Sequence, residues 1–158
     1  MVEVDVKIEA GDLYDYLLAH TYNGASGIIG STFGALLIVI ALMKAKWVLL
    51  IAGIIVLVYL PWTLFIKSRR QALANPAFQK PLHYCLDEDG ITVSQNGETQ
   101  NQSWDAMVKA VSTSRSIIVY TSPVSAAIFP KRELGDQKAA LIEVISTHMA
   151  PAKVKIRA

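Results

Sequence analysis

Between residues 23 and 80 the chain has no acidic residue, and over most of that stretch it has no charge at all. Charge is scarce throughout: 18% of the 158 residues are Asp, Glu, Lys or Arg, against about 25% in a typical soluble domain. With 53% apolar residues, disorder is excluded. A single water-soluble core is also disfavoured, because the apolar excess is concentrated rather than spread. Cysteine is limited to Cys85, which excludes a disulfide-stapled secreted scaffold. Also missing are a Gly-rich phosphate loop, a nucleophile elbow or Ser/His/Asp pattern, and a spaced His/Cys set that would hold zinc. An enzyme is therefore the weakest expectation, and no cofactor or metal is expected. The N-terminus is acidic and alternating, without the basic start or cleavage site of a signal peptide.

What is present in the uncharged stretch is two apolar runs of twenty residues, 24–43 (GASGIIGSTFGALLIVIALM) and 47–66 (WVLLIAGIIVLVYLPWTLFI), joined by Lys44-Ala45-Lys46. At 1.5 Å per residue each makes a helix roughly 30 Å long, the thickness of the hydrocarbon core of a bilayer. The three-residue link forces the two helices to return antiparallel, so a transmembrane hairpin over residues 23–67 is expected. Lys67, Arg69 and Arg70 follow the second run, with Lys80 further on in a basic linker over 68–80, whereas the turn carries Lys44 and Lys46. Bases gather on the cytoplasmic side, which puts both termini inside. Tyr22, Trp47, Tyr59 and Trp62 lie near the run ends, where amphipathic rings prefer the headgroup zone. Pro61 removes a backbone donor and is expected to bend the second helix. Ser26, Gly30 and Gly34 repeat every four residues, a flat strip for close helix packing, either on the partner helix or between copies of the chain. Neither run contains an ionisable residue, so no proton relay or ion pathway is expected within the hairpin.

The flanking regions are balanced differently. Residues 1–22 hold one Lys against five acids, and residues 81–158 hold eight bases and eight acids. Val2, Val4, Val6 and Ile8 alternate with Glu3, Asp5, Lys7 and Glu9, the pattern of a half-buried strand. Asp12 is expected to cap a helix over Leu13 to His20. Strands are expected at Leu82–Asp87, Ile91–Gln95 and Glu98–Ser103, with turns at Asp87-Glu88-Asp89-Gly90 and at Asn96-Gly97, a strong hairpin signal. A bridge at Trp104–Met107 leads to three more strands, Lys109–Thr113, Ser116–Thr121 and Ser125–Phe129. Asp136 then caps a helix to about Ala150, where Pro151 stops it. The last residues, 151–158, form a basic tail with Lys153, Lys155 and Arg157, which reads equally as an edge strand, a lipid-touching tail or disorder. Seven strands and a closing helix suggest a small bent antiparallel sheet of pleckstrin-homology-like (PH-like) architecture over 81–150. The lone strand in residues 1–22 completes that sheet if both ends of the hairpin face one compartment. The expected fold class is thus a membrane α+β protein, a two-helix hairpin inserted into a cytosolic domain.

Three short motifs carry a family resemblance: Asp89-Gly90-Ile91 after a strand, Trp104-Asp105 after the next hairpin, and Ile128-Phe129-Pro130-Lys131-Arg132 before the last helix. The stretch Tyr84 to Leu134 resembles the C-terminal domain of the YcxB-like bacterial membrane proteins. Their usual order of strand, helix, two spans and this domain covers nearly the whole chain. The resemblance implies a bacterial inner-membrane location and a PH-like domain, and it implies no activity.

Among polar residues, His83 and Cys85 share a strand face but make only two of the three or four ligands zinc needs. Asp87, Glu88 and Asp89 lack calcium-loop spacing. Lys131-Arg132 is the basic pair best placed to meet an anionic headgroup, alone or with Lys67, Arg69 and Arg70, or to touch a protein partner. The alternative is a solvated loop, because two adjacent bases fall short of a lipid-recognition cluster. Trp104 is expected to be a core anchor, and the tail is too small for nucleic acid. The leading functional expectation is a non-catalytic membrane protein whose cytosolic domain binds lipid or a protein partner. The alternatives are an immunity or envelope-protection protein that neutralises a membrane-acting toxin, and a homo-oligomeric pore.

Overall fold

The computed structural model describes residues 1–123 and 125–156, apart from the side chain of Ser26. The strand β1 (Val2–Val6) buries its valines and exposes its acids, as alternation requires. The helix α1 (Ala10–Tyr22) follows, then α2 (Ala25–Lys44) and α3 (Trp47–Ala74). Seven strands come next: β2 (Leu82–Leu86), β3 (Gly90–Gln95), β4 (Glu98–Ser103), β5 (Lys109–Ser112), β6 (Ser116–Tyr120), β7 (Ala126–Pro130) and β8 (Val154–Lys155). Between β7 and β8 lie a short α4 (Lys131–Leu134) and α5 (Lys138–His148).

The strands make two sheets. One runs β1-β2-β3-β4, with Val4 opposite Tyr84 and Tyr84 opposite Val93. The other runs β7-β6-β5-β8; all its pairs are antiparallel except β5 with β8, where Ala110 faces Val154. The first tight turn, Asp87 to Gly90, is held by the Asp87 carboxylate, which accepts from the amides of Asp89 and Gly90 at 2.9 and 3.0 Å. Gly90 is required there, because a Cβ would stand 2.1 Å from the carbonyl oxygen of Gln102 on β4. The second turn has positive φ at both Asn96 (53°) and Gly97 (86°), the geometry that makes Asn-Gly favourable in a two-residue hairpin.

One core joins both ends of the chain. Val2, Val4, Val6 and Ile8 pack in the same cluster as Leu86, Met107, Phe129, Leu141 and Ile145, and the rings of Tyr84 and Phe129 lie 4.8 Å apart. Trp104 is buried; its indole N–H donates to the Asp87 carbonyl at 2.9 Å, and its ring stacks on His148. Strand β6 is buried throughout. Ile117 and Val119 enter the main core, while Tyr120, on the other face, meets Tyr16 and His20 of α1.

Several boundaries differ from the sequence expectations. Asp12 is not the cap of α1: Glu9 holds that place, and the Asp12 carboxylate accepts from the Glu9 amide at 2.8 Å from three residues inside. The second apolar helix does not stop at Ile66. It runs unbroken through Pro61 to Ala74, 28 residues in all, because nothing between Lys67 and Ala74 breaks a helix and α1 packs along it. Asn75 ends it, and the remaining connection is fastened to β3 by Gln95, whose amide donates to the carbonyls of Ala77 and Lys80. Lys131 and Arg132 open α4 rather than a loop, and α5 begins at Lys138, two residues past the expected cap Asp136. Of the basic tail, Val154 and Lys155 form β8, and Arg157 lies outside the described residues.

Candidate functional site

The two long helices pack closely where glycine permits it. A Cβ on Gly34 would stand 2.7 Å from the Leu57 side chain, and one on Gly53 would stand 2.8 Å from Ile38 and 3.0 Å from the Gly34 carbonyl. Gly34 thus belongs to the contact between α2 and α3, with Gly53 as a counterpart the sequence reading did not name. Gly30 differs: a Cβ there meets nothing within 4 Å. The side chain of Ser26, the third member of the expected strip, lies outside the described set.

The second feature is the join between α1 and the domain. Arg132 donates to both carboxylate oxygens of Asp12, at 2.5 and 2.8 Å, and to the carbonyl of Lys7 at 3.2 Å. Asp12 is fully buried, whereas the Arg132 side chain is 38% exposed. The hydrogen bond to Asp12, with the nearby carboxylates of Glu9 and Glu133, raises the guanidinium pKa further above its ordinary value. Lys131 turns its ammonium to the Thr113 carbonyl at 2.5 Å. Lys131 and Arg132, weighed as an anion-contacting pair against a solvated loop, are therefore both engaged by their own domain. No sequence signal linked Asp12 to Arg132, which are 120 positions apart.

The third feature is an open groove of roughly 730 Å³ between α1 and α3. Tyr16, Leu17 and His20 line it from α1, and Thr63, Ile66, Lys67, Arg70 and Ala74 from α3. Residues 63, 67, 70 and 74 fall on one helical face by their three- and four-residue spacing. None of the residues lining the groove is acidic. Its α1 wall packs on β6. Tyr16 and His20 stack at 5.8 Å, both meet the Tyr120 ring at 5.9 Å, and the Lys109 ammonium lies over that ring at 4.5 Å from its centre. Burial, and secondarily Tyr16, pushes the Tyr120 phenol up to about 12. Arg69, expected to act with Lys67 and Arg70, points elsewhere: its guanidinium sits 5.6 Å from the centre of the Phe65 ring.

The two residues weighed as zinc ligands do other things. His83 bonds Asp5 at 2.8 Å, and Cys85 is half-buried, its thiol pKa raised by burial and then by Asp87 and Glu3. Among the described residues no three His, Cys, Asp or Glu side chains gather as a metal site would require. No curated protein and no solved structure matches the chain. Residues 86–145 do match the model of the YcxB-like protein family, so the segment from the end of β2 into α5 is YcxB-like, as its sequence motifs suggest.

Proposed function

We propose that this chain is a non-catalytic, membrane-anchored recognition protein. In this reading α2 and α3 cross the bacterial inner membrane as a hairpin. The two-sheet body stands on the cytoplasmic side with both termini and binds a lipid or a protein partner. The observation that carries it is the placement of apolar surface. The most apolar windows of α2 and α3 have mean hydropathies of 2.0 and 2.5, yet only 17% and 11% of those windows is buried. A helix in a soluble core hides such a surface, whereas a lipid-facing helix does not. A body with sheets of four and three antiparallel strands and a closing helix also supports a PH-like description, with β8 added at one edge.

Lys67, Arg69 and Arg70 against Lys44 and Lys46 support the inward orientation. The test is extraction and labelling of the full chain. The protein should stay with membranes in alkaline carbonate, and release would reject the spanning hairpin. In a Cys85→Ser background, Lys44→Cys should react with an impermeant maleimide on intact cells and Asp105→Cys only after lysis; the reverse pattern inverts the topology. Replacing Cys85 leaves the introduced cysteine as the one thiol that is read. The protective and pore-forming alternatives both need a free packing face on α2, where Gly34 is taken up within the hairpin and Gly30 stays open.

A further inference from the structure

We infer that the groove between α1 and α3 binds one anionic phospholipid, its phosphate held by Lys67 and Arg70. This deepens the membrane-anchored reading and rests on it. The groove runs along α3 from Thr63 to Ala74, eleven residues or about 16 Å at the helical rise. Its two ends differ in chemistry. Thr63 and Ile66 belong to the apolar run that would lie in the bilayer. One turn further on, Lys67 and Arg70 follow along α3, and Leu17 and His20 line the groove from α1. That order, apolar and then cationic, matches acyl carbons followed by a phosphodiester, read outward from the bilayer.

Charge complementarity selects an anionic lipid over a zwitterionic one. Lys67 and Arg70 are exposed, and no carboxylate lines the groove to neutralise them. The bases elsewhere that were candidates for the same task are already used, Arg132 by Asp12 and Lys131 by Thr113. Arg69 supplies an internal control, because it sits between the two groove bases in sequence but lies against Phe65.

The experiment uses the full chain, delipidated in non-ionic detergent and titrated with phosphatidylglycerol, phosphatidylcholine or soluble glycerol 3-phosphate. Retained molecules are counted by native mass spectrometry. One phosphatidylglycerol should bind, at least tenfold tighter than phosphatidylcholine. Lys67→Gln with Arg70→Gln should weaken it roughly thirtyfold, about fivefold per base. Arg69→Gln should leave it within twofold, and Lys67→Arg should retain it. Glutamine keeps helix propensity at these exposed positions, so the variants should match the parent in thermal unfolding. Equal affinity for the two lipids would overturn the inference, leaving an apolar crevice. An Arg69→Gln loss as large as that of Arg70→Gln would overturn it in favour of diffuse surface charge. Displacement by glycerol 3-phosphate at lipid-like concentrations would overturn it in favour of a free anion. Failure of the membrane reading shows separately, as release of the chain by carbonate before any lipid is added.

Discussion

The two-sheet body and the helical hairpin use the same apolar residue types in opposite ways. In the body, Phe129, Ile117 and Leu141 are fully buried, and the acids of β1 face out. In the hairpin, Phe33, Ile55 and Leu42 are more than half exposed. Taking apolar surface out of water stabilises a fold by roughly 25 cal/mol per Å², so water itself drives the folding of the body. The hairpin leaves much of its apolar surface uncovered, and the contacts that hold it are close ones such as Gly34 with Gly53. The sharpest break of this comparison is one chemical change made on both sides. Phe129→Ala should cost about 3–5 kcal/mol, read by urea unfolding of the full chain in micelles with near-ultraviolet circular dichroism. Phe33→Ala should stay within about 0.5 kcal/mol, as for a change that leaves no cavity. Equal costs would mean that the hairpin is a buried core.

Next in size is the join between the body and α1, the helix that leads into the hairpin. Replacing Arg132 with Ala leaves Asp12 buried without its cation, and breaking such a pair costs about 3–5 kcal/mol; the partial exposure of Arg132 points to the low end. Arg132→Lys should recover only part of this, because the bidentate fork is lost. Asp12→Ala in the Arg132→Ala background should add little, and an additive double variant would show that the pair is not coupled.

A pH experiment isolates the body. Burial pushes the Tyr84 phenol up to about 12 from the ordinary 10.0. Its folded pKa lies above its unfolded one, so its contribution is fully present below pH 10 and is lost as pH rises from 10 towards 12. Two pKa units amount to at most about 3 kcal/mol. Tyr84→Phe should flatten that part of the alkaline stability curve, and an unchanged curve would show that Tyr84 is solvated when folded.

Much of this architecture was legible because it is written in local periods. Alternation in Val2 to Ile8, the Asn96-Gly97 turn and two uncharged runs of helical length each depend on neighbours within a few residues. The strands β2 to β7 follow from the same signals, but their division into two sheets between β4 and β5, where one bent sheet was expected, does not. Where the reading stopped short, the cause was non-local. Nothing in the order of residues says that Asp12 and Arg132 meet. A capping acid and a loop base are the sound local readings of those two positions, and the fold combines them into one ion pair. The groove was half legible. Lys67 and Arg70 were named as bases, but treating 68–80 as a linker hid the helical face that separates them from Arg69 and sets them opposite Tyr16 and His20. Extending the 3.6-residue period past Ile66 would have exposed that separation.

The smallest expected effect makes the finest test of the hairpin. Gly34→Leu places a branched side chain where a Cβ alone already meets Leu57 at 2.7 Å, and overpacking of this kind costs about 1–3 kcal/mol. Gly30→Leu, one turn away on α2, meets open space and should change hairpin stability by less than about 0.5 kcal/mol. The two substitutions match in chemistry and in expected depth, so membrane insertion cannot separate them. Measured by thermal unfolding in micelles at low protein concentration, only Gly34→Leu should shift the transition. At high density in liposomes, resonance energy transfer between labelled copies reads association instead. A loss of transfer for Gly30→Leu, with an unshifted transition, would assign the open face of Gly30 to contacts between chains. Unchanged transfer confines the small-residue packing of α2 to its own hairpin, and would remove the physical basis for a pore assembled through that strip.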